Sequence, residues 1–191
     1  MRQRAVIAMA LACEPDLVIA DEPTTALDVI VQDRVLDALT ALQEEFGVAM
    51  LVISHDVHVI AETCDRVGVM YGGRLMEAGT ATEVFEAPTN PYTLGLLNAV
   101  PRADADRDTD LVQIPGTSPP LLDPADECVF ADRCPFAVEA CTDGHPPTYD
   151  VAAGIDGSLT EATDDRHRSA CYRLPDADEL RAAAGEDETW R

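Results

Sequence analysis

The chemistry of this sequence starts at Leu17-Val18-Ile19-Ala20-Asp21-Glu22-Pro23, an apolar run that ends in two adjacent carboxylates. A short hydrophobic strand ending there delivers Asp21 to a phosphate site, where it can hold Mg²⁺ directly or through water. Glu22 then lies beside the terminal phosphate and can polarise an attacking water. A second apolar run, residues 48–53, ends in Ser54-His55-Asp56 and puts His55 at another strand's carboxyl end. That edge is where α/β sheets gather their ligands. Taken singly, these signals also suit solvated acids at a strand terminus and a satisfied structural histidine. Their order and spacing together describe half of an ATP-hydrolysing site.

The elements that must position these residues alternate between helix and strand. Residues 2–13 carry a helical apolar pattern, with Val6, Ile7, Ala10 and Leu11 on one face. Residues 17–20 form a buried strand. Asp28 suits the N-cap of a helix running through Phe46, in which Val31, Val35, Leu39 and Leu42 recur at helical spacing, and Gly47 suits its stop. Residues 48–53 form the next strand, 56–64 a helix and 66–71 a third strand. Gly72-Gly73 turns the chain back into residues 74–77. A short helix follows over 80–86, and Pro91 can start another through Val100. Cys13 and Cys64 fall on apolar helical faces as small core residues.

Asp21-Glu22-Pro23-Thr24-Thr25-Ala26-Leu27-Asp28, followed by a helix, a strand and His55, closely resembles the second half of an ABC-transporter ATPase domain. The resemblance runs from residue 1 to roughly residue 100. It implies that Asp21 is the Walker B magnesium ligand, that Glu22 is the catalytic glutamate, and that His55 is the switch histidine on the γ-phosphate. Ala26-Leu27-Asp28 matches the D-loop, so Asp28 faces an opposite protomer besides capping its helix. Met1-Arg2-Gln3-Arg4 resembles the start of the helix after the Leu-Ser-Gly-Gly signature, which gives Arg2 and Arg4 a structural role and makes Met1 an internal residue of a longer protein. The 191 residues contain no Gly-x-x-x-x-Gly-Lys-Ser/Thr, and all 13 Lys+Arg residues are Arg. Without that glycine loop and its lysine, which cradle the phosphates, the stretch given is not expected to hydrolyse ATP on its own.

Beyond Val100 the texture changes. Residues 101–110 read as an acidic linker, and Ile114-Pro115-Gly116-Thr117-Ser118-Pro119-Pro120 cannot be regular helix or central strand. Cys128, Cys134, Cys141 and Cys171 follow, spaced C-x5-C-x6-C-x29-C. Asn90-Pro91-Tyr92-Thr93, the Ile-Pro-Gly loop and these cysteines resemble the carboxyl-terminal extension of dipeptide/oligopeptide importers. Some of those carry a [4Fe–4S] cluster on four such cysteines. The residues themselves leave a cluster, a structural Zn²⁺ or no metal open, because the spacing lacks the close cysteine pairs of common zinc folds. His145 and His167, near the set, read as solvated loop histidines, and His58 faces solvent.

The net charge of −23 and a pI near 4.2 repel nucleic acid and anionic lipid. No lysine, abundant Asp and only 5% aromatics point to a salt-loving archaeal source, since about 1 M salt shortens the Debye length to about 3 Å. No stretch is long and apolar enough for a membrane span.

The expected fold is thus α/β: a partial P-loop NTPase sheet with flanking helices, plus an irregular cysteine-containing extension. We divide the chain into residues 1–86, 87–175 and an acidic tail, 176–191, a frayed helix with Trp190 exposed. The resemblance implies ATP and Mg²⁺, a second ABC ATPase subunit, two membrane permease subunits and an external substrate-binding protein. It also implies a peripheral place on the cytoplasmic face of the membrane. Three other readings differ from this one: a soluble ABC-type ATPase of DNA repair, a metal or redox module built on the cysteines, and an inactive remnant. The first is expected to carry a DNA-binding insertion, which this sequence lacks.

Overall fold

The computed structural model describes residues 2–25, 27–100, 113–118, 126–162 and 166–190, with backbone alone for residues 2–5, 29 and 187. Ala26, the linker 101–110, Pro119-Pro120 and the side chains of Arg2 and Arg4 lie outside that description. The chain forms two compact units, Met1–Cys64 and Asp65–Arg191. The second unit begins just before the third strand, whose partner strand pairs in turn with residues 168–169.

In the first unit, α1 spans Arg2–Leu11, β1 Leu17–Asp21, α2 Val29–Phe46, β2 Ala49–Ile53 and α3 Val57–Thr63. β1 and β2 pair in parallel, with Ile19 opposite Leu51 and Asp21 opposite Ile53. α2 starts where Asp28 accepts the Val31 N–H at 3.0 Å and stops at Gly47, whose φ of 63° closes a left-handed cap. Val35 and Leu39 are buried as the helical spacing requires, whereas Val31 is exposed. Residues 17–20 are not a buried strand. Leu17, Ile19, Leu51 and Ile53 alternate onto one face of a two-stranded sheet and remain about half exposed, where parallel strands ordinarily have cover on both faces. Val6 and Met9 are likewise exposed on α1. Cys13 is exposed beyond the helix end and Cys64 is the half-buried C-cap of α3, so neither is a core residue.

The second unit is built on an antiparallel sheet. β3 (Arg66–Tyr71) and β4 (Arg74–Thr80) join through Gly72 and Gly73, whose φ of 55° and 76° suit the two-residue hairpin turn. Thr80 ends β4 and caps α4 (Ala81–Glu86) with a reciprocal Thr80–Glu83 box. Asn90 caps α5 (Pro91–Asn98), with Pro91 in the first turn. Then come α6 (Ala140–Asp143), β5 (Tyr149–Asp150), α7 (Val151–Ile155), β6 (Arg168–Ser169) and α8 (Ala177–Ala184). The strands lie in the order β3-β4-β6-β5. The segment 113–118 contains neither helix nor strand.

The expectation of a frayed acidic tail is wrong. Ala177, Leu180 and Ala184 recur at helical spacing and are buried, while Asp178 and Glu179 are exposed. Trp190 is only 4% exposed, packs with Tyr71, Met76, Leu94, Phe130 and Leu180, and donates its indole N–H to the Ala184 carbonyl at 3.0 Å. Gly95 makes room for it, since a Cβ there would stand 2.6 Å from the indole Cη2. His167 is buried too. It lies 2.9 Å from the Oε1 of Glu77, a carboxylate buried at 1% exposure that also accepts from Thr89 N, Thr89 Oγ1 and Asn90 N. His145 is half-buried, not solvated; burial, with Arg74 nearby, lowers its pKa.

Candidate functional site

β1 carries Asp21 to the carboxyl end of the parallel pair, and the chain then bends sharply. Glu22 takes φ 48°, a left-handed conformation uncommon outside glycine, worth roughly 1–3 kcal/mol of local strain. Its N–H is held by the Ile53 carbonyl at 2.8 Å, which ties the bend to the end of β2. Pro23 and Thr24 form the next turn, closed by Thr25 N–H on the Glu22 carbonyl at 3.2 Å.

The bend aims the Glu22 carboxylate at the loop that follows β2. Its Oε1 accepts the His55 main-chain N–H at 3.2 Å and lies 2.8 Å from His55 Nδ1. Its Oε2 accepts the Thr25 hydroxyl at 2.9 Å. The His55 bond, then that of Thr25, pulls the Glu22 pKa below its usual value, and the same contact raises that of His55. The imidazole is 82% exposed and the Glu22 side chain 35%, so the pair is a solvent-facing contact of small energetic weight. Asp56 anchors the loop: it caps α3 through His58 N and Val59 N, and Gln32 of α2 donates to its Oδ2 at 3.3 Å.

Asp21, Glu22 and His55 therefore share one end of the sheet, two of them in direct contact. Asp28 stands at the start of α2 with its carboxylate engaged by Val31 N. Thr25 escaped sequence reasoning, although a hydroxyl three residues after a carboxylate, with proline between, is a readable turn signal.

The second unit gathers the four cysteines. Cys128, Cys134, Cys141 and Cys171 all line one cavity of about 20 Å³, walled by Met76, Phe130 and Phe136 among others. The main chain around Phe130, Ala131, Phe136 and Arg173 counters the effect of burial on the Cys128, Cys134 and Cys171 thiols in part. Burial dominates nonetheless. It raises the Cys128 thiol, pushes Cys134 up to about 12, and raises Cys171 as well. Among the described residues, no three His, Cys, Asp or Glu side chains are arranged to hold a metal ion. Arg133, next to Cys134, donates to the carbonyls of Ile114, Pro115 and Gly116 and to the Tyr71 hydroxyl, which fastens the Ile-Pro-Gly loop to the sheet.

Comparison with known proteins bears on both regions. Residues 76–141 match the family described as the oligopeptide/dipeptide transporter, C-terminal region. A probable peptide ABC transporter ATP-binding protein of Sinorhizobium fredii is 46% identical over 91% of this chain and 48% of its own length. The oligopeptide transport ATP-binding protein OppD of Escherichia coli is 53% identical over 81% of this chain and 45% of its own. A solved structure of cbiO1 from Clostridium perfringens, part of an ABC transporter complex, superposes over 44% of this chain and 33% of that one, at 36% identity and TM-score 0.42. The chain spans about half the length of the curated relatives it matches. By these matches the chain is similar to the carboxyl-terminal half of ABC-transporter ATP-binding proteins, those of oligopeptide/dipeptide transporters in particular.

Proposed function

We propose that these residues belong to the ATP-hydrolysing subunit that energises a peptide importer. The observation that carries this is Glu22 facing His55 at the end of a parallel strand pair, directly after Asp21, in a chain half-identical to peptide-transport ATP-binding proteins. Asp21 would hold Mg²⁺, which would supply charge neutralisation at the phosphates. The phosphates themselves would need a glycine–lysine loop, a motif these 191 residues do not contain. Glu22 orients the attacking water. A carboxylate held below its usual pKa is a weak base, so positioning outweighs proton abstraction while His55 stays in contact. When the γ-phosphate draws the imidazole away, the carboxylate regains basicity and a free lone pair faces the water. Asp28 faces the second ATPase subunit across the ATP sandwich.

In this reading the subunit sits peripherally on the cytoplasmic face of the membrane, against two permease subunits supplied by an external binding protein. Among the described residues no helix is long and apolar enough to cross a membrane. The test is the native complex, captured through an antibody to residues 128–191 and reconstituted in vesicles. ATP-dependent peptide uptake is expected. A capture with no permease subunit, or a complex that hydrolyses no ATP, would refute the reading.

A second reading concerns the cysteines. We infer that they hold a [4Fe–4S] cluster, not Zn²⁺. In support, all four thiols line one apolar cavity. The spacing C-x5-C-x6-C-x29-C lacks the close cysteine pairs of common zinc folds. The cavity has room for about one water. A bound cluster would supply a redox couple and a staple for the extension. Iron content and visible absorbance of anaerobically isolated protein decide it: colour that bleaches on reduction is expected, and colourless protein with stoichiometric zinc would refute it. The lysine-free, strongly acidic composition further supports a source that lives in molar salt.

A further inference from the structure

We infer that Thr25 is a positioning residue for the reaction, holding the Glu22 carboxylate in place when His55 leaves it. The inference rests on the reading of Glu22 as the water-orienting group. Oε1 has two donors, both from His55, and Oε2 has the Thr25 hydroxyl at 2.9 Å. If the His55 ring turns to a phosphate, Oε1 keeps only the main-chain N–H at 3.2 Å and opens toward water. Nothing on that path disturbs Oε2. Thr25 is fixed independently of the ring, because its own N–H closes the turn on the Glu22 carbonyl at 3.2 Å and Pro23 restricts φ inside that turn.

The carboxylate is thus held at one oxygen and released at the other. A group gripped only through its stem would swing about its side-chain torsions, and the fraction of time spent aimed at water would fall. Thr25 itself is exposed, so substituting it creates no cavity.

The experiment measures ATP turnover by the native complex carrying Thr25→Val, Thr25→Ser, Glu22→Gln, or Glu22→Gln with Thr25→Val. Valine keeps the shape and removes the donor; serine keeps the donor. The expected result is a kcat about fivefold lower in Thr25→Val, with the KM for ATP unchanged. Serine should restore the parent rate, and valine should cost nothing further once Gln stands at 22. Parent-like kcat in Thr25→Val beside a dead Glu22→Gln overturns this inference alone. So does a loss that appears in KM or persists in Thr25→Ser. Parent-like turnover in Glu22→Gln overturns the reading of Glu22 beneath it.

Discussion

Glu77 offers a quantitative test of how the second unit is held together. Its carboxylate is buried at 1% exposure and meets four donors: Thr89 N at 2.7 Å, Thr89 Oγ1 at 2.8 Å, Asn90 N at 3.2 Å and His167 Nε2 at 2.9 Å. The cluster joins β4, the segment before α5 and the segment before β6. Asn90 extends it by donating to the Met76 and Ala170 carbonyls at 3.1 and 3.0 Å. Glu77→Gln is the sharper substitution. Its carbonyl can take the place of Oε1 and keep Thr89 and His167, but its amide then faces the Asn90 N–H, donor against donor. One buried N–H left unpaired and the loss of charge assistance together cost about 2–3 kcal/mol. Glu77→Ala strips all four donors and costs about 3–5 kcal/mol, a large part of a total that is ordinarily 5–15 kcal/mol. Trp190 is the only tryptophan in the chain and packs beside Met76, so urea unfolding followed by its fluorescence reads this unit directly. The expected order of midpoints is parent above Gln above Ala. A Gln midpoint equal to the parent's would show that Glu77 is not held by these bonds.

Three further outcomes follow from the same geometry. Gly95→Ala should overpack the core by about 1–3 kcal/mol and shift Trp190 emission toward that of exposed indole, because the new methyl would stand 2.6 Å from the ring and 2.9 Å from Ile114 Cγ1; unchanged emission would contradict that packing. The Glu22–His55 contact should be charge-assisted only while both groups are charged. Glu22 is lowered from 4.5, so that assistance is lost as pH falls through that depressed value; His55 is raised from 6.5, so it is lost again as pH rises through the elevated one. An NMR titration should therefore find His55 above the ordinary imidazole value of about 6.5 and back near it in Glu22→Gln. With a net charge of −23, the urea midpoint should rise as the Debye length shrinks from about 10 Å at 0.1 M to about 3 Å at 1 M; a midpoint that falls with salt would remove the halophilic reading.

Where pattern and local chemistry coincide, the sequence was legible. Asp28, Gly47, the Gly72-Gly73 turn, Thr80 and Pro91 are each a cap or turn whose residue type is dictated by the backbone at that point, and each stands where its type predicts. That Asp21, Glu22 and His55 come close together was readable because strand ends lie next to one another in a parallel pair. Long-range packing was not readable in this way. Trp190 and residues 177–184 look like a polar tail in one dimension, and only the space opposite Gly95 and Leu94 makes them core. His167 is buried because a carboxylate 90 residues away needs a donor, and Arg133 reaches back to three loop carbonyls. Strand burial failed for the converse reason: the pattern at residues 17–20 describes a strand built for cover on both faces, and that cover is not among the described residues.

The claim at the centre is that Glu22 orients the water that attacks ATP. The most direct measurement is bound nucleotide and released phosphate in the native complex carrying Glu22→Gln. Retained ATP with turnover reduced by roughly a hundredfold or more is the expected outcome. Phosphate released at the parent rate would contradict it and take Glu22 out of the site.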